Sequence, residues 1–122
     1  MIKGLRLATI WSEDLTKKLL PFYRDTLGPN VGVEAEGFVA FGDLETPSLA
    51  LGTHSEVHGA NTDPARHLVG LATDDLNAEY ERLQAAGVEF IETPSDSPGQ
   101  GPPTATLKDP EGNLVQLFQF QS

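Results

Sequence analysis

Thr104-Ala-Thr-Leu-Lys-Asp109-Pro110-Glu111-Gly112-Asn113-Leu114-Val115-Gln116-Leu117-Phe118 is the stretch that decides the fold. Two runs of alternating apolar residues flank an Asp-Pro-x-Gly-Asn segment. Pro110 presets φ for the first corner of a tight turn, and Gly112 can take the positive φ at which the chain reverses. The stretch therefore reads as a β-hairpin, with Gln116 and Phe118 on one face of its second strand.

Upstream of the hairpin, His67 to Thr73 is apolar enough for a strand. Asp74 and Asp75 introduce a helix with Leu76, Tyr80 and Leu83 on one face, Gly87 ends it, and Val88 to Ile91 form another strand. The first half of the chain has the same order. A strand over residues 3 to 11 puts Leu5, Leu7, Thr9 and Trp11 on one face. A helix follows, with Leu15, Leu19, Phe22, Tyr23 and Leu27 at helical spacing and Gly28 to close it. Three short strands then run through Val31 to Glu34, Gly37 to Phe41 and Ser48 to Thr53. Pro21 falls inside the helical pattern, where it removes a donor and clashes with the preceding turn, so the helix is expected to be irregular near residue 20.

Asp14-Leu15 answers Asp75-Leu76 at an offset of 61 residues. The order β-α-β-β-β thus runs twice, which predicts an α+β fold of two βαβββ modules. Module 1 covers about residues 3–53, a linker 54–66, and module 2 about 67–120, within one domain spanning 1–122. Two copies are too few for a solenoid. They can instead curl a mixed sheet into a half-barrel with the helices outside and a concave face within.

The chain has 122 residues, 8 basic against 18 acidic, for a net charge of −10. Such a surface repels nucleic acid and anionic membranes. The absence of cysteine excludes disulfides, thiol nucleophiles and thiolate metal sites. No apolar segment approaches membrane-spanning length and the N-terminus lacks a signal-peptide pattern, so a soluble, cytoplasmic protein is expected.

Phe22-Tyr23-Arg24-Asp25-Thr26-Leu27-Gly28, Asp74-Asp75-Leu76, Ala85-Ala86-Gly87-Val88 and Asp109-Pro110-Glu111-Gly112-Asn113 occur in one order and spacing. Together they resemble the vicinal oxygen chelate superfamily, the glyoxalase, bleomycin-resistance and extradiol dioxygenase group, over nearly the whole chain. The resemblance implies the doubled module and a homodimer. For the metalloenzymes of the group it also implies four metal ligands, one from the first and one from the last strand of each half.

In this chain those positions are poorly furnished. Gln116 stands where the second-half glutamate would be, and Ala50 where the first-half one would be. The first-strand ligand usually lies eight residues before the leucine that opens the helix, which gives Leu7 and Leu68. His67 takes the inward position only if the turn at Thr73 holds an extra residue, because a shift of one turns a strand side chain to the other face. With Leu68 inward, Val69 and Leu71 lie under the helix while Gly70 and Ala72 leave room on the other side. Alanine and leucine cannot ligate, and a stable site usually needs three or four protein ligands. No metal cofactor is therefore expected.

The remaining candidates suit binding. Trp11, the only tryptophan, offers a flat wall for a planar or cationic ligand, and Phe118 beside Gln116 adds a second ring and an amide. The expected ligand-binding residues are Leu7, Thr9, Trp11, Ala50, Leu68, Gln116 and Phe118. His54 and His58 stand four apart in a loop rather than on a helix, although His54 reaches the site if the strand ending at Thr53 continues. Pro94-Ser-Asp-Ser-Pro-Gly-Gln-Gly-Pro102-Pro103 reads as a flap or an inert hairpin loop. The expected function is sequestering, or transforming without metal through polar groups such as Gln116 and Thr9, a small apolar or cationic compound. The alternative is a metal-dependent lyase or dioxygenase using His67, Gln116 and further ligands.

Overall fold

A computed structural model describes residues 3, 5–43, 45–94 and 103–119. The proposed flap lies largely outside the described residues. The chain forms two compact units, residues 1–59 and 60–122. In the first, β1 (Leu7–Ser12), a helical segment (Pro21–Leu27), β2 (Val33–Ala35), β3 (Phe38–Phe41) and β4 (Ser48–Thr53) follow one another. The second has a 3-10 turn (Pro64–Arg66), β5 (Val69–Thr73), α1 (Leu76–Ala85), β6 (Glu89–Glu92), β7 (Thr104–Lys108) and β8 (Leu114–Gln119). Each unit carries one four-stranded mixed sheet, ordered β1-β4-β3-β2 and β5-β8-β7-β6. The first strand of each module pairs in parallel with the last, and the other pairs are antiparallel.

Register separates the faces. In unit 1, Ile10, Leu51 and Val39 are neighbours on one face, which also carries Leu49 and Phe41, and all five are buried. Thr53 shares that face, and its Oγ1 accepts the Leu15 N–H at 3.1 Å, which holds the start of the helical segment there. Leu15 and Leu19, ahead of that segment, and Tyr23 within it are buried almost completely. The irregularity expected at Pro21 is present as a widened helix. Leu20 N–H reaches back five residues to Leu15 C=O, and Gly28 N–H, at φ +87°, five residues to Tyr23 C=O. Pro21 brings no N–H, and widening relieves the clash of its ring with the turn before it.

Unit 2 repeats these devices, with the helix starts at the expected offset and the last strand five residues further on. Gln119, at the end of β8, accepts the Leu76 N–H on Oε1 at 2.9 Å, as Thr53 at the end of β4 does for Leu15. Ser12 and Thr73 each accept the N–H of the acidic residue two places on, Asp14 and Asp75. Asp75 caps α1 by accepting Ala78 N–H at 3.1 Å. The helix closes where Gly87 takes φ +91°, with Gly87 N–H on Gln84 C=O and Val88 N–H on Leu83 C=O. Asp14 is held below the usual carboxylate range because the Thr16 hydroxyl and N–H both donate to it.

The β7–β8 hairpin has the geometry its sequence implies. Gly112 N–H donates to Asp109 C=O at 3.1 Å and Gly112 lies at φ +84°. The buried Asp109 carboxylate accepts the N–H groups of Glu111 and Asn113 on Oδ1 and the Asn113 amide on Oδ2. Asp109→Ala leaves three donors without their acceptor in a part-buried turn. It should destabilise the protein by about 1–3 kcal/mol, read as a lower urea midpoint at unchanged slope.

β4 and β7 have the expected bounds, and the other strands differ at one or both ends by one to four residues. Residues 3–6 precede β1, and β5 begins at Val69 rather than His67 because Pro64–Arg66 form a 3-10 turn just before it.

Candidate functional site

Four of the seven expected ligand-binding residues share one face of the unit 1 sheet, opposite its helical segment. Leu7, Thr9 and Trp11 pair in register with Ser48, Ala50 and Gly52, and Ala40 completes the row across Thr9 and Ala50. Ala50 is fully buried, whereas Trp11 is 45% exposed. A Cβ added at Gly52 would collide with Trp11 Cζ3 and come within 2.6 Å of Cε3. The indole therefore lies directly on the Gly52 backbone, and the glycine is buried because the ring covers it. His54 meets the same indole edge-on, with centroids 5.4 Å apart and planes at 73°. Its N–H donates to Ser12 C=O at 2.9 Å, which ties His54 to the end of the β1–β4 ladder, whose last pair is Ser12 and Thr53.

The other three belong to unit 2. Gln116 pairs with Gly70 on one side and Thr106 on the other, and Phe118 lies two residues along on the same face. A Cβ at Gly70 would stand 2.8 Å from Phe118 Cε2, so this ring too is seated on a glycine. The two modules exchange roles. In unit 1 the aromatic is on the first strand and the glycine on the last, and in unit 2 the reverse holds. Neither seat was singled out from sequence, because one strand's residues say nothing of which residue lies beside them.

Leu68, 46% exposed, immediately precedes β5. Alternation along the extended chain puts it on the side of Gly70, Ala72 and Gln116, while Val69, Leu71 and Thr73 share the helix side with Val115, Leu117 and Gln119. His67, with extended backbone at φ −136° and ψ 130°, falls on the parity of Val69. On that parity His67 would stand on the face opposite Gln116, which disfavours the ligand pair of the metal-dependent alternative.

In unit 1 the register positions Leu7 and Ala50 carry only hydrocarbon, and in unit 2 Leu68 and Gln116 provide one amide oxygen. Neither pair fits a divalent cation. Among the described residues no three His, Asp or Glu side chains gather as a metal-binding group. The carboxyls shifted below their usual range, Asp14, Asp25 and Asp43, are exposed or half-exposed and owe the shift first to Thr16, Arg24 and the Thr46 N–H respectively. None belongs to either aromatic seat.

A family model described as the glyoxalase/bleomycin resistance protein/dioxygenase superfamily matches residues 8–117. Among solved structures, TnmS3, an antibiotic binding protein from Streptomyces sp. CB03234, is 25% identical with a TM-score of 0.71, over 97% of this chain and 96% of that one. A member of the same superfamily from Sphaerobacter thermophilus is 25% identical with a TM-score of 0.74, over 98% of both chains. A glyoxalase/bleomycin resistance protein from Streptomyces sp. CB03234 is 25% identical with a TM-score of 0.70, over 95% of this chain and all of that one.

Proposed function

Because the chain belongs to the glyoxalase/bleomycin resistance protein/dioxygenase superfamily, we propose that it binds and sequesters a small apolar or cationic compound without a metal ion. The observation that carries this reading is the Trp11 indole, packed into the space a side chain at Gly52 would fill and left 45% exposed. A large ring seated against the backbone and still half-exposed provides contact area at little further cost in side-chain entropy. The resemblance to an antibiotic binding protein supports a small-molecule ligand. The net charge of −10 favours neutral or positively charged compounds over anions. Thr9 on the unit 1 sheet face and the Gln116 amide on the unit 2 face are polar groups that orient a ligand or act on it in this reading.

Trp11 is the only tryptophan, so its fluorescence reports on this surface alone. Titration with a panel of aromatic and cationic antibiotics should give saturable quenching by at least one member, unchanged by EDTA. Silence across the panel would remove the binding reading, and quenching abolished by EDTA would remove its metal-free form. The proposal includes a homodimer, which sedimentation of the chain at the mass of one subunit would exclude.

A further inference from the structure

Register sets an equivalent row of side chains across each sheet, on the face away from the helical element. In unit 1 the row is Thr9, Ala50, Ala40 and Val33, and in unit 2 it is Gly70, Gln116, Thr106 and Glu92. Phe90 and Leu107, a pair of the other parity, lie on the helix side, where the Phe90 ring meets Tyr80 of α1 edge-on. Two alanines fill in unit 1 the places of Gln116 and Thr106, so the module forms its sheet without polar groups there. A carboxamide, a hydroxyl and a carboxylate in line belong to unit 2 alone.

None of the three is committed within the protein. Thr106 is only 7% exposed, yet its hydroxyl makes no hydrogen bond. Among the described residues no fully enclosed side-chain nitrogen or oxygen lacks a partner, so this hydroxyl is not sealed in and opens on the face it shares with Gln116. The half-buried Gln116 amide and the exposed Glu92 carboxylate are also without a hydrogen-bond or ion-pair partner. Lys108, two residues along β7 on that face, is paired with Glu89 at 3.5 Å. Neighbouring strands stand about 4.8 Å apart, so Gln116 and Glu92 flank Thr106 within reach of one small ring.

Donor and acceptor types define what complements the row. A carboxamide and a hydroxyl each donate and accept, and so match hydroxyl groups, whereas a carboxylate only accepts and, with no cation beside it, matches an ammonium. Phe118, two residues from Gln116 on the same face, offers an apolar surface to the C–H side of a saturated ring. We propose that this row binds an amino sugar, with neighbouring hydroxyls on Gln116 and Thr106 and the protonated amine on Glu92. This rests on the unit 2 face being a ligand surface and does not depend on Trp11.

Methyl glucosaminide and methyl glucoside differ only in carrying an amine or a hydroxyl at one carbon. The intact isotope-labelled chain is titrated with each and followed by NMR, at a pH that keeps the amine protonated. Both sugars should shift the Gln116 side-chain amide signal, identified by its loss in Gln116→Leu, and the glucosaminide should bind about fivefold more tightly. Glu92→Gln should bring that ratio to one. Thr106→Val, which keeps the side-chain shape, should weaken both sugars several-fold. No shift with either sugar, equal affinities in the wild type, a preference that survives in Glu92→Gln, or unaltered affinity in Thr106→Val overturns the inference. Trp11 quenching by the antibiotic panel reports on the unit 1 face separately. If it persists where the sugars fail, only the amino-sugar site falls. If it is silent while Gln116 responds as expected, the amino-sugar site stands and the Trp11 reading falls.

Discussion

Gly52→Ala is expected to abolish tight ligand binding without altering any side chain that would touch the ligand. The new methyl group would occupy the space of Trp11 Cζ3 and lie 2.6 Å from Cε3. An indole is rigid, so it cannot bend away at one end. It must rotate off the sheet as a whole or push β1 from β4, where Trp11 and Gly52 are partners in a parallel ladder. Overpacking of this kind costs about 1–3 kcal/mol of stability. Losing the oriented ring costs binding more visibly. An aromatic anchor worth about 2 kcal/mol corresponds to roughly thirtyfold in Kd. Two measurements check this: Kd for whichever antibiotic quenches Trp11, and the emission maximum of the free protein, which should move to the red as the indole gains water. Gly70→Ala is the internal comparison, since its methyl group meets Phe118 at 2.8 Å and should leave Trp11 emission where it was. Wild-type affinity and unshifted emission in Gly52→Ala would show that the indole does not need its seat.

Gly32→Ala should have the larger effect on folding. Its Cβ would fall inside the Gly42 carbonyl oxygen and 2.6 Å from the Gly42 carbonyl carbon. Both obstacles are backbone, so no side-chain rotation can relieve them. The segment has little freedom to retreat, because Gly32 N–H donates to Ala40 C=O at 2.9 Å and so extends the β2–β3 pairing into Val33–Ala40. The destabilisation is expected at or above the upper end of the roughly 1–3 kcal/mol typical of overpacking. Denaturant unfolding measures it. Hydrogen exchange should place the loss first in β2 and β3 of unit 1, leaving the β7–β8 ladder protected until global unfolding. A midpoint within error of wild type would mean that the two glycines do not approach each other as described.

The sequence by itself determined whatever is written in local, one-dimensional signals. Alternation in Val69 to Thr73 was enough to put Leu71 on the helix side and Gly70 on the other, and the Asp109-Pro-x-Gly-Asn pattern was enough for a hairpin. Gly28 and Gly87 marked the two helix ends because positive φ is cheap only for glycine. The 61-residue offset made the doubled βαβββ order legible, and the devices that repeat at it, such as Ser12 and Thr73, obey it to the residue. Tertiary structure alone decided the pairings between distant segments. Thr53 holds Leu15 across 38 residues and Gln119 holds Leu76 across 43. Trp11 rests on Gly52, Phe118 on Gly70, and His54 stands beside the indole. Each of these depends on which residue of one strand lies next to which residue of another. That register is a joint outcome of every side chain in the sheet, so no single stretch of sequence contains it.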